Sequence, residues 1–203
     1  MGRDPSRRRA YTSVVAARPN SDGGPTWRFV HGMALRVGGR RVHLSKLPGM
    51  ATAAVTFMSV EARPTAVIGQ TTTWAEFPGV WGPLLDQVYR FVRGRADLTT
   101  GEGSEQWQNV MLYRDDRPTV EVGVLVNATF TAEGPVIASE LPAGEVATAT
   151  HRGDYAHLGV THDAVRDHVA THGRELAGPR WEIYGHWRAD PSELETDVFW
   201  LLR

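Results

Sequence analysis

Residues Leu141–Gly173, "LPAGEVATATHRGDYAHLGVTHDAVRDHVATHG", read as turn, strand and helix in unbroken succession. Leu141-Pro142-Ala143-Gly144 is a turn signal, and residues 145–152 carry the small and β-branched residues of a strand. Leu158, Ala164, Val165, His168 and Val169 then fall along one helical face, which Gly173 ends. Before this stretch, "VIASEL" (136–141) reads as a strand. After it, "RWEIYGHWR" (180–188) and "ETDVFWLLR" (195–203) read as two more strands around the turn "ADPSEL". The order is strand, strand, helix, strand, strand.

The preceding residues give the same order. "VTFMSVEA" (55–62) and "TAVIGQTTT" (65–73) read as strands about "RP". In residues 74–95, Val80, Leu84, Val88 and Phe91 have helical spacing, with Pro83 placed in or near the first turn and Gly94 as the stop. "QNVMLYRDD" (108–116) and "TVEVGVLVNATF" (119–130) complete the unit as a strand pair. Two copies of one unit predict an α+β fold: a duplicated strand-helix-strand-strand unit, two antiparallel sheets joined edge to edge, a helix on each half and a central ligand cleft where the halves meet.

The chain has 203 residues and no cysteine, enough for one buried core but without disulfides or thiolate metal sites. No apolar run approaches the roughly 20 residues that span a bilayer, and the Arg-rich start lacks the apolar block of a secretory signal. A cytoplasmic protein is expected. The formal charge of -1 hides an asymmetry: residues 1–49 hold nine Arg, one Lys and two Asp, a net +8, and the remainder carries -9. An acidic body suits cationic or neutral partners and argues against nucleic-acid binding by residues 50–203. Residues 1–49 read as a largely disordered basic extension, with a short strand conceivable in "GGRRVHL". They read as a basic arm for nucleic acid or an acidic surface, a transit peptide, or upstream sequence ahead of a start at Met50.

Glu182 is the sharpest candidate for chemistry. Strand alternation puts Glu182 and Tyr184 on one face and Trp181 and Ile183 on the other. Facing solvent, the acid is ordinary; facing the cleft, it is a carboxylate among aromatic rings, which favours a flat cation. Phe57, Tyr113, Tyr155, Trp181, Tyr184, Trp187 and Trp200 gather near that cleft in the proposed layout. His168 and His172 have a spacing that holds metals, but no third ligand accompanies them, so neither a metal nor another cofactor is expected. His151 and Asp154 form a candidate acid/base pair without a nucleophile.

The run 141–173, then "GPRWEIY" (178–184) and "DPSELETDVFW" (190–200), with "WQNVMLYRDD" and "EVGVLV" in the first half, resembles the GyrI-like small-molecule-binding domain. This domain is also the effector-binding domain of bacterial multidrug-responsive transcription activators. The resemblance implies a duplicated fold whose cleft takes up amphipathic, cationic or aromatic compounds. It implies that Glu182 lies inside the cleft and that Tyr113, Tyr155, Trp181 and Tyr184 line it. The helix-turn-helix of the regulatory members has no counterpart in residues 1–49, which points to a stand-alone binder. Two functions follow. One is drug or toxin sequestration, with Glu182 as charge selector. The other, implied by stand-alone relatives, is a hydrolase opening the cyclopropane ring of DNA-alkylating natural products, with Glu182 as acid/base and Tyr155 or Tyr184 stabilising charge. The family name adds interaction with DNA gyrase as a third.

Overall fold

The computed structural model describes residues 54–100, 107–116 and 119–203 and, as backbone, residues 17–19 and 25–27. Ala17–Pro19 (β1) and Pro25–Trp27 (β2) pair as a small antiparallel ribbon. Strands this short fall below the window in which periodicity carries a signal, so the sequence reading has no element there. The rest of the basic extension, including "GGRRVHL", lies outside the described residues.

The body is built from two copies of one unit. The first is β3 (Thr56–Val60), β4 (Arg63–Thr71), α1 (Phe77–Val92), β5 (Asn109–Tyr113) and β6 (Thr119–Leu125). The second is β7 (Ile137–Leu141), β8 (Gly144–Arg152), α2 (Leu158–Thr171), β9 (Leu176–Tyr184) and β10 (Glu195–Leu202). Strands β3 to β10 form one antiparallel sheet in the order β3-β8-β10-β9-β5-β6-β4-β7. The order maps onto itself when the halves are exchanged. The halves meet through the β5–β9 ladder, and each gives its first strand to the other: β3 pairs with β8, and β7 with β4.

That exchange forces the sheet to curl. Val60 and Arg63 lie near opposite ends of the strand order, yet only two residues separate them, a span of at most about 11 Å. Leu141 and Gly144 impose the same closure, and Gly144 makes its turn at φ +140°, a conformation that only glycine adopts freely. The face away from the helices is thereby enclosed around Val67, Val110, Leu112, Leu125, Leu141, Val146, Trp181 and Ile183. Burial on both faces is the reason β5 and β6 read as nearly unbroken apolar runs.

The helices cover the outer face, α1 on β4 and β6, α2 on β8 and β10, so β5 and β9 run along the gap between them. Helix α1 buries Phe77, Trp81, Leu84, Leu85, Val88 and Val92, while Val80 and Phe91 are only partly covered. Pro78 is the proline of its first turn; Pro83 lies inside the helix, where its missing N–H is tolerated because Pro83 and Gly79, whose carbonyl it frees, both face solvent. Helix α2 buries Leu158, Thr161, His162, Val165 and Val169, a face rotated from the expected one because His162 is drawn into the core by polar contacts. Strand β9 runs from Leu176 to Tyr184 and stops short of Trp187, which is 40% exposed and not part of the cleft. No helix among the described residues is long and apolar enough to cross a membrane.

The curl depends on a close approach at Gly123, which pairs with Val67. A Cβ at Gly123 would lie 1.9 Å from the Ala66 carbonyl oxygen and 2.8 Å from Val67 Cα, both backbone atoms that cannot swing away. Gly123→Ala is therefore expected to destabilise the fold by about 3 kcal/mol or more. Urea denaturation of the variant against the parent chain measures this, and an unchanged midpoint would show that the sheet does not need the contact.

Candidate functional site

The two halves correspond residue by residue. Phe77, Trp81, Leu84 and Val88 of α1 match Leu158, His162, Val165 and Val169 of α2 at one constant offset, and all eight are buried. In the central ladder Met111 pairs with Glu182, Val110 with Ile183 and Leu112 with Trp181. Exchange of the halves carries Met111 onto Glu182 and Tyr113 onto Tyr184, so Met111 and Glu182 face each other on the pseudo-twofold axis. The duplicated frame thus presents Met111 and Trp81 from one half, Glu182 and His162 from the other.

Glu182 is 5% exposed, and three side chains donate to it. Tyr184 donates its hydroxyl to Oε2 at 2.6 Å and Tyr113 to the same oxygen at 3.2 Å. Both hydroxyls also lie against Met111 Sδ, at 3.7 and 3.8 Å. His162 Nε2 meets Oε1 at 2.8 Å. The Trp200 indole N–H can only donate, and it points at His162 Nδ1 at 3.0 Å. This contact fixes the imidazole proton on Nε2, where it is given to Glu182. A carboxylate out of water is tolerated when its charge is met in this way.

Rings enclose the cluster. Tyr155 packs edge-on against Tyr184 at 5.4 Å, and Tyr113 is flanked by Trp74 and Phe77 at 5.6 and 5.8 Å. Arg180, on the same strand face as Glu182, places its guanidinium over Trp74, Tyr113 and Trp200. The fold therefore brings together Glu182, Tyr113, Tyr155, Tyr184 and Trp200. Besides the exposed Trp187, two expected residues are elsewhere. Trp181 points to the opposite face and stacks on Phe199 at 5.3 Å and 10°, as strand alternation requires. Phe57 packs on His168 and His172 at the far end of α2, at 5.0 and 5.4 Å.

His151 and Asp154 are not an acid/base pair. His151 Nε2 bonds the Asp154 backbone carbonyl at 3.0 Å and Nδ1 meets the Thr161 hydroxyl at 2.9 Å, while the Asp154 carboxylate caps Ala156 N–H. No group of three or more His, Asp or Glu suited to a metal occurs among the described residues. An open surface depression of about 360 Å³ lies behind α2, lined by Arg166, Val169, Arg174, Leu176 and Arg203. The buried acid and its donors mark the site with more chemistry than that open surface.

His162 and Arg180 carry roles that reading the strands and rings alone leaves out. Each had a signal: His162 falls four residues after Leu158 and three before Val165, on the helical stripe, and Arg180 shares the alternation of Glu182.

Burial, and then the Glu182 charge, pushes the phenols of Tyr113 and Tyr184 well above their ordinary value of 10, and burial pushes Tyr89 and Tyr155 up to about 12. These groups hold their protons more tightly folded than unfolded. Their stabilisation is complete below pH 10 and declines as pH rises toward the folded values, by up to about 1.4 kcal/mol per pH unit for each. Phenolate absorbance of these four tyrosines is expected to appear together with loss of tertiary circular dichroism above pH 10. Ionisation near pH 10 with the fold intact would place the hydroxyls in water instead.

No protein-family model matches the chain. No curated protein matches it. Solved structures do. The C-terminal domain of EcmrR superposes with a TM-score of 0.60 at 17% identity, covering 75% of this chain and 99% of that domain. EcmrR in its complex with DNA gives 0.62 at 17% identity, covering 77% of this chain, which spans 59% of the EcmrR chain. SAV2435 bound to tetraphenylphosphonium gives 0.50 at 10% identity, over 74% of this chain and 94% of that one. At these identities the likeness establishes a shared fold alone, an α+β architecture that in this chain has one antiparallel sheet of eight strands and two helices.

Proposed function

We propose that residues 50–203 form a GyrI-like small-molecule-binding domain that takes up amphipathic, aromatic cations between the two helices, for sequestration or sensing. The observation that carries this reading is a buried carboxylate on the pseudo-twofold axis, ringed by Tyr113, Tyr155, Tyr184 and Trp200. Ring faces and a negative charge attract the same delocalised cation. The shared fold with SAV2435 bound to tetraphenylphosphonium supports the choice of ligand class.

A second reading has one observation in its favour. His162 gives Glu182 the second acid/base group that a hydrolase opening an electrophilic cyclopropane would use: Glu182 would receive the proton of an attacking water, with Tyr155 or Tyr184 stabilising charge on the substrate. Binding is favoured, because three of the roughly four acceptor positions of the carboxylate already hold donors, which leaves little room to activate water.

Titration with tetraphenylphosphonium, followed by tryptophan fluorescence, tests the proposal. Glu182→Gln keeps the shape and is expected to weaken the cation by about tenfold or more while a neutral aromatic of similar size loses little. Equal losses for both would remove Glu182 as charge selector. Catalytic gain of one water by a cyclopropane substrate, abolished in the variant, would move the assignment to the hydrolase.

A further inference from the structure

Glu182 Oε2 accepts hydrogen bonds from two phenols, Tyr184 at 2.6 Å and Tyr113 at 3.2 Å, and Oε1 accepts one from His162 at 2.8 Å. A carboxylate has about four acceptor positions, shared between its two oxygens. Oε2 is therefore filled and Oε1 half filled before any ligand arrives. The charge is not used up with the positions. In surroundings with little water it still attracts a cation through space.

The neighbours of the acid add little that accepts an N–H. Met111, its ladder partner and its twin in the other half, is buried and brings a thioether, a weak acceptor. Both phenol oxygens lie against the Met111 sulfur, at 3.7 and 3.8 Å, and each gives its one proton to the stronger acceptor, Glu182. The Trp200 indole has no acceptor, and its N–H is given to His162. A ligand N–H thus meets one charged position, on Oε1, and the neutral phenol oxygens. A primary ammonium carries three donors and is strongly hydrated, so it surrenders more hydrogen bonds to water than this cluster replaces. Donors left unmade out of water are costly. A quaternary ammonium or a phosphonium has no N–H to satisfy and gains the ring faces and the charge alike.

We infer that Tyr184 and Tyr113 set the head-group specificity of the cleft: by filling Oε2 they leave Glu182 its charge but not its acceptors, so that the site takes cations without N–H donors, quaternary ammonium or phosphonium, in preference to protonated amines of the same skeleton. This rests on the reading of the Glu182 cluster as a ligand site. In this role both hydroxyls are positioning groups that act on the ligand through the carboxylate, while their rings serve as walls. Tyr184, with the shorter bond, contributes more than Tyr113.

The test uses the full chain and two probes of one skeleton, naphthylmethyltrimethylammonium and naphthylmethylammonium, titrated by calorimetry at neutral pH, where both are cations. The parent is expected to bind the quaternary probe about tenfold more tightly. Part of that ratio comes from the added methyl groups, so the ratio is then compared between proteins. Tyr184→Phe keeps the ring, opens a position on Oε2 and is expected to favour the primary probe by about fivefold relative to the quaternary one. A merely structural loss would weaken both probes alike and leave the ratio unmoved. Tyr113→Phe is expected to move the ratio the same way by less, and it stands in should a thermal melt show that Tyr184→Phe does not fold. Primary-probe binding by the parent as tight as the quaternary, or one ratio in the parent and every folded variant, with Glu182→Gln weakening both probes, would overturn the head-group selection and leave the ligand site standing. Failure of the parent to bind either probe or tetraphenylphosphonium would overturn both.

Discussion

The charge of Glu182 is the constraint around which the site is built. Taking a carboxylate out of water costs several kcal/mol unless donors replace the lost hydration. Here the donors come from separate parts of the chain: Tyr184 from the same strand, Tyr113 from the other half and His162 from the helix above. Trp200 of the neighbouring strand orients His162 by occupying its second nitrogen. Each donor is therefore held by the fold rather than by the carboxylate alone, and the polar cluster ties α2, β5, β9 and β10 into one unit. A partly satisfied network of this kind would be worse than an apolar core, which is why its members act together.

Duplication provides the frame and breaks its symmetry at a few positions. The pseudo-twofold axis passes between Met111 and Glu182, so the same place on the scaffold carries a thioether in one half and a carboxylate in the other. Trp81 and His162 stand in the same relation. Tyr113 and Tyr184 are kept in both halves and converge on Glu182 Oε2 from either side of the axis. A symmetric pair of acids there would place two like charges together, which repel at short range. One acid faced by methionine avoids that conflict while leaving both hydroxyls usable.

The exchange of β3 and β7 between halves gives the site its rigidity. It curls the sheet, encloses a second apolar core behind the central strands and supports β5 and β9 from the side away from the helices. Trp181 and Ile183 belong to that support, while Glu182 and Tyr184, next to them in sequence, belong to the site. The helices, seated over β4 and β6 and over β8 and β10, leave the middle of the sheet to Glu182 and its donors.

The element order, the two-copy unit and the shared face of Glu182 and Tyr184 were readable in the sequence, because each is a local periodicity of two or 3.6 residues. So was the turn at Leu141–Gly144, from residue type alone. Tertiary structure decided which strands pair, since pairing between distant segments leaves no local mark; the exchange of β3 and β7 is the clearest instance. It decided the rotation of α2, where a polar His162 replaces Ala164 and His168 on the buried face because its hydrogen-bond partners lie on β9 and β10. And it decided which aromatics belong to the site. Composition treats Phe57, Trp181 and Trp200 alike, but β3 sits at the sheet edge, Trp181 points to the opposite face, and Trp200 alone of the three lies beside the Glu182 cluster.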